Sequence, residues 1–247
     1  MPRKVDLTVR TSAPADKVWD AWTDPSRLAG WLLDRAAGEP EPGASYEWHW
    51  EPGDTGQTLV VREAAPQQRL VIDFPAPGQL LEITLHREGG DTEVHLVNSG
   101  FRDGDEWEDE FIGFRNGWTF CLEILKVYLE MYWGRRRRLL AIFRPAQFEY
   151  TRLAELYRQP GGWLSLGMPI PTRILASAGR EVCYGWDEIE GILELKSFES
   201  PGGRMLGLRA ISWAAEDVLV PMKLPAEASR FCRSRGRRRL WRCPANW

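Results

Sequence analysis

The sequence predicts an α+β protein: a curved antiparallel sheet wrapped around a long C-terminal helix, followed by a second, incomplete α+β module. Three observations lead there. Residues 105–133 place Phe111, Phe114, Trp118, Cys121, Leu122, Leu125, Tyr128, Leu129 and Tyr132 at three- and four-residue steps, which draws one apolar stripe down a helix. Ahead of it, residues 45–99 hold five short strand-like segments joined by hairpin-length turns, as in an antiparallel meander. After Trp213, where a second long helix is due, Pro221 and Pro225 interrupt the chain instead.

The elements follow in order. Val5, Leu7 and Val9 alternate with Asp6, Thr8 and Arg10, which predicts a strand with one buried face. A short helix follows, with Ser12 as N-cap, Pro14 in its first turn and Val18, Trp19 and Trp22 on its buried side. Asp24-Pro25 breaks it, and residues 26–32 make a second helical turn or two before a loop at 38–43. The predicted strands then span residues 45–51, 57–63, 69–74, 79–87 and 91–99. In the fourth, Leu81, Ile83 and Leu85 alternate with Glu82, Thr84 and His86, as expected of a sheet covered on one side. Asp103 or Asp105 is placed to cap the long helix, and the acids after it suit the positive end of its dipole.

Beyond it, residues 134–145 form a basic linker opening on Gly134 and four arginines, which suit a helix C-terminus. Residues 143–158 carry Phe148, Leu153, Leu156 and Tyr157 at helical spacing. Strands at 172–177, 181–186, 191–198 and 204–213 complete a second module over 146–229. The arginine-rich stretch 230–247 has no hydrophobic period and is expected to be a disordered tail.

Length, composition and charge exclude several classes. With 247 residues, 43% hydrophobic and 27% charged, the chain is long enough for a core of its own. It has no run of eighteen apolar residues, so no membrane span is expected. Its N-terminal residues lack the apolar segment of a secretory signal, and its four cysteines show no CxxC pair, which together predict a reduced, cytoplasmic protein. The net charge of −3 conceals an asymmetry, because residues 230–247 hold seven arginines and no acid, leaving the remainder at −10. An acidic body disfavours nucleic acid as a partner.

The order of strand, two short helices, antiparallel strands and one long helix resembles the helix-grip fold. More narrowly, Val18 to Pro25, Leu28 with Gly30-Trp31, and Gly117-Trp118 followed by Leu122, Leu125 and Leu129 resemble the family named for activator of Hsp90 ATPase homologue 1, within the START-like (SRPBCC) superfamily. The resemblance covers about residues 1–133 and implies a sheet that grips the helix around a cavity. It suggests binding of a small hydrophobic molecule, with a stress-related role, or contact with a chaperone as the family name implies. A cyclase- or hydrolase-like enzyme in the same cavity is the alternative from the enzyme class.

No GxSxG, HExxH, P-loop or strand-linked GxGxxG is present, and no catalytic residue, cofactor or metal site is assigned. His49, His86 and His95 alternate with core residues and so belong on the outer face. An enzyme would need an inward titratable pair such as His49 with Glu47, against which alternation argues. Asp103, Asp105, Glu106, Glu108, Asp109 and Glu110 form the solvated start of the long helix. The candidate cavity residues are Trp48, Trp50, Ile83, Leu96, Asn98, Phe114, Gly117, Trp118 and Leu122, which core packing accounts for equally well. Gly113 and Gly117, one turn apart in a helix, leave room for a strand or ligand to approach, and Arg115 is a further polar group of interest.

Overall fold

The computed structural model describes residues 3–50, 55–74, 78–145, 173–178, 181–200, 203–216 and 218–219. They divide into two compact units, with the boundary between Arg136 and Arg137.

Among the described residues, the first unit holds a seven-stranded antiparallel sheet, ordered β1-β7-β6-β5-β4-β3-β2. Its strands are β1 (Arg3–Thr11), β2 (Arg35–Gly38), β3 (Ser45–Trp50), β4 (Thr55–Ala65), β5 (Arg69–Asp73), β6 (Leu80–Glu88) and β7 (Asp91–Phe101). Helices α1 (Ala15–Thr23) and α2 (Pro25–Leu28) connect β1 to β2, and α3 (Glu108–Met131) follows β7 after a short 3-10 turn. This is the helix-grip arrangement that the sequence predicts.

Register fixes which face is buried. Val5 pairs with Asn98, Asn98 with Leu81, Leu81 with Ile72 and Ile72 with Val61, making one continuous inner row across five strands. Leu96, Ile83 and Leu70 form a second row beside it. All of these residues are buried, and apart from Val71 the strand residues between them are exposed or half-buried.

α3 packs against β1 and α1. At its last turn Glu130 accepts hydrogen bonds from Thr11 Oγ1 at 3.1 Å and Ser12 N at 3.0 Å, which pins the corner between β1 and α1. Near the same end, a Cβ on Gly30 would stand 2.5 Å from the Tyr128 hydroxyl, so only glycine lets α3 approach that closely. Trp118, Cys121, Leu122, Leu125, Tyr128 and Leu129 are buried, as the stripe predicts. Phe120, Ile124 and Val127, on the opposite side of the helix, are buried as well. The helix is therefore enclosed on two sides rather than lying on one surface.

Local details differ from expectation. Pro14, not Ser12, occupies the α1 N-cap, and no side chain caps that helix. Asp24 is the working cap instead, accepting from Ser26 N at 2.7 Å and Arg27 N at 3.2 Å at the start of α2. Neither Asp103 nor Asp105 caps α3, whose N-cap is Trp107, although Glu108, Asp109 and Glu110 do occupy its first turn.

The second unit contains β8 (Arg138–Pro145), β9 (Arg173–Ala178), β10 (Glu181–Trp186), β11 (Gly191–Ser200) and β12 (Gly203–Ser212). They form an antiparallel sheet in the order β8-β12-β11-β10-β9. This sheet fits the expected second module. The linker expected at 134–145 is a strand over most of its length, since Arg138 through Pro145 pair with Ser212 through Met205. The arginines mark a helix end, but Leu139 to Phe143 behind them are apolar enough to enter a sheet. The helix expected at 143–158 therefore begins in strand, and its remainder, like the tail at 230–247, lies outside the described residues.

One face of this second sheet packs Tyr184, Trp186, Leu193, Leu195, Leu208 and Ala210 into a core. The other carries Glu181, Cys183, Glu194 and Arg209 in cross-strand register.

Candidate functional site

The interior of the first unit is built from aromatic rings supplied by four different elements. β3 contributes Tyr46 and Trp48, both fully buried because alternation turns them inward, with Trp50 half-buried at the end of the strand. Tyr46 and Trp48 meet edge-to-face at 6.1 Å, as do Trp48 and Trp50. Trp48 then meets Phe74, just past β5, at 6.2 Å. Phe74 touches two residues of α3, Phe114 at 5.9 Å and Trp118 at 5.8 Å. From Trp118 the ring contacts continue to Trp22 of α1 at 6.3 Å and on to Trp31 at 4.9 Å. From Phe114 they continue to Phe101 and Phe111, each step 5.3 Å. Each contact lies in the range where aromatic pairs add to simple area burial.

Asn98 occupies the middle of the inner row and is fully buried. Its Nδ2 donates to the Leu80 carbonyl at 2.9 Å, and its Oδ1 accepts from Trp118 Nε1 at 3.1 Å. The side chain thus ties the sheet to the helix, with both polar atoms engaged. Tyr46 Oη donates to the carbonyls of Trp22 and Thr23, each at 3.2 Å, so the end of α1 is held over β3. Burial pushes the Tyr46 hydroxyl well above its ordinary pKa, and it stays neutral.

The candidate residues separate into two groups. Ile83, Leu96, Leu122, Trp48 and Trp118 are at most 3% exposed. Trp50, Phe114 and Gly117 are half-buried. The central ring, Phe74, escapes the sequence reading because it stands beside a Pro-rich turn. Trp22 reads there only as helix packing.

Residues 12–130 match the model of the family described as Activator of Hsp90 ATPase homolog 1-like protein. The first unit of the chain belongs to this family. A search of curated protein sequences returns no significant match. Among solved structures, protein SSP2350 from Staphylococcus saprophyticus is similar at 19% identity and a TM-score of 0.48, covering 52% of this chain and 93% of its own. Protein BH1534 from Bacillus halodurans gives 22% identity and a TM-score of 0.47, over 53% of this chain and all 100% of its own. DynU16, a protein of the dynemicin biosynthetic locus, gives 17% identity and a TM-score of 0.46, over 84% of this chain and 86% of its own.

The histidines of this Hsp90-activator-homologue-like domain stand outside its aromatic interior. His49 packs on the outer face over Gly56, with Nδ1 3.1 Å from Arg35 and Nε2 3.4 Å from Glu47. The His49–Glu47 pair therefore exists, but it faces away from the site. His95 bonds to Asp6 at 2.8 Å, and His86 is exposed. Bonds from Lys4 and His95 lower the Asp6 pKa. Among the described residues no three His, Cys, Asp or Glu side chains gather into a metal site. No described helix is long and apolar enough to cross a membrane. Gly113 is exposed with open space where a Cβ would go, so no strand approaches it, and Arg115 is exposed as well.

Proposed function

We propose that the first unit binds a small, mostly apolar molecule between the sheet and α3. The observation that carries this reading is the gradient of burial along one connected chain of rings. Trp48, Trp118 and Trp22 are at most 2% exposed, whereas Phe111, Phe114 and Trp50, joined to them by ring contacts, are only half-buried. An interior that served packing alone would close over such rings, because each buries a large apolar area. Here the apolar surface runs from the core to the outside, as the wall of a ligand entrance does.

Trp48, Trp50, Phe114, Gly117 and Trp118, with Phe74, line the proposed path, and Ile83, Leu96 and Leu122 close its base. Asn98 positions Trp118. Among the described residues, the buried inner-face residues of the sheet include no carboxylate, histidine, lysine or arginine, which favours holding a molecule over transforming it.

The test is native mass spectrometry of the protein purified from its own host, followed by thermal-shift measurements against lipids and planar polycyclic compounds. A retained small molecule, or a rise of several degrees in Tm at saturating ligand, is expected. Ligand-free protein with an unmoved Tm across the panel sinks the reading.

A further inference from the structure

The fold satisfies most polar groups in the first unit's interior and leaves a few without partners, close together. Trp31 Nε1 donates to the Ala21 carbonyl at 2.8 Å, and Trp118 Nε1 to Asn98. The indole N–H groups of Trp22 and Trp48, residues 1% and 0% exposed, have no acceptor. Gln57 Oε1 and Gln79 Oε1 are buried acceptors without a donor.

Three of the four stand next to Trp48 or Phe74, and Trp22 is joined to these rings through Trp118. Gln57 is the cross-strand partner of Trp48 and shares the inner face with Leu59 and Val61. Gln79 shares the inner face with Leu81 and Ile83, and its carbonyl accepts from Phe74 N at 2.9 Å. The Trp48 ring touches Phe74, and the Trp22 ring touches Trp118, which touches Phe74 in turn. Unpartnered buried polar atoms are rare in folded proteins, and several around one pair of rings point to something that completes them.

We propose that Trp22 and Trp48 donate hydrogen bonds to the bound molecule, which is a flat, uncharged, unsaturated compound carrying a carbonyl or ether oxygen. This rests on the binding reading given above and adds its chemical class. The two kinds of orphan are not equivalent. An indole N–H donates and cannot accept, whereas a glutamine amide turns to offer either its oxygen or its nitrogen. An acceptor oxygen on the ligand is therefore required, while a ligand hydroxyl is tolerated by Gln57 and Gln79. Among the described residues, the buried ones of the first unit include no charged side chain, so an ionised ligand would find no counter-ion there. The surrounding rings stand steeply to one another, 77° for Trp48 with Phe74 and 76° for Phe74 with Phe114, which offers ring faces and edges to a planar molecule.

The test compares fluorene with 9-fluorenone, two flat probes that differ by a carbonyl oxygen. Titrated into the full chain, fluorenone is expected to bind about tenfold more tightly, the usual effect of completing buried donors. Trp22→Phe and Trp48→Phe each keep a ring and remove the N–H. Each is expected to cut that preference to about threefold or less. In the unsubstituted protein, the indole N–H resonances of Trp22 and Trp48 are expected to shift with fluorenone and not with fluorene, a readout independent of variant folding. Equal affinity for the two probes, with both resonances unmoved by fluorenone, overturns this proposal and leaves the pocket standing, its donors met by buried water. Failure of both probes to bind overturns the pocket and this proposal together.

Discussion

In the first sheet Arg69 reaches Glu63 at 2.5 Å and Glu82 at 3.0 Å across the outer face, with all three side chains at least 34% exposed. In the second sheet Glu194, its side chain 6% exposed, pairs with Arg209 on a face that also holds buried Cys183. Glu181 stands on the same face, and burial raises its pKa to about 7 despite Lys196 opposite. The same residue types thus do different work in the two units. Outside the first sheet, charge is solvated and costs little, which reserves the inner face for rings. On the second sheet charge is withdrawn from water, where it destabilises unless paired.

Four substitutions test that contrast, from the largest expected effect to the smallest. Trp118→Ala removes the ring that joins the sheet's aromatics to α3 and leaves Asn98 Oδ1 without its donor. A loss of about 3–5 kcal/mol is expected in urea denaturation, as for large core truncations. A loss under about 1 kcal/mol would show that the interior closes around the gap, against the proposed rigid wall.

Glu181 supplies a pH dependence. Its folded pKa of about 7 lies above the ordinary 4.5, so the folded state holds the proton more tightly than the unfolded chain. Its contribution is fully present below pH 4.5, is lost as pH rises through about 7, and amounts to at most about 3 kcal/mol. Subtracting the stability curve of Glu181→Gln from that of the parent isolates this slope from carboxylates shifted the other way, such as Glu82, which bonding to Arg69 lowers. A flat difference curve between pH 4.5 and 7 contradicts the assigned burial.

Glu194→Gln and Glu82→Gln make the direct comparison of the two sheets. Loss of the buried pair is expected to cost about 2–3 kcal/mol, because Arg209 keeps its charge with its main partner gone. Loss of the exposed pair is expected to cost less than about 1 kcal/mol and to shrink further in high salt. Equal costs would remove the distinction.

Much of the first unit was legible along the chain because its signals are local. Alternation at Tyr46, Trp48 and Trp50 shows which face is buried, and three- and four-residue steps reveal the stripe of α3. Less local features were hidden. The strand at Arg138–Pro145 sits behind four arginines, and its pairing partner lies more than sixty residues away. Ser12 does not cap α1, and its backbone N–H is held by Glu130, far along the chain. Phe74 reads only as the last residue of a strand, and its ring contacts with Trp48, Phe114 and Trp118 come from other elements.

The sequence by itself determined the α+β class, six of the first unit's seven strands and its long helix, and the outward placement of its histidines; it missed β2 at Arg35–Gly38. Each follows from periodicity within a few residues, which propensity and burial decide locally. Only the tertiary structure decided that Asn98 holds Trp118, that the rings form one connected chain, and that Trp22 and Trp48 keep unpartnered N–H groups beside it. Those outcomes depend on which distant side chains come within hydrogen-bond or van der Waals reach, distances that register and packing set and that no local pattern encodes.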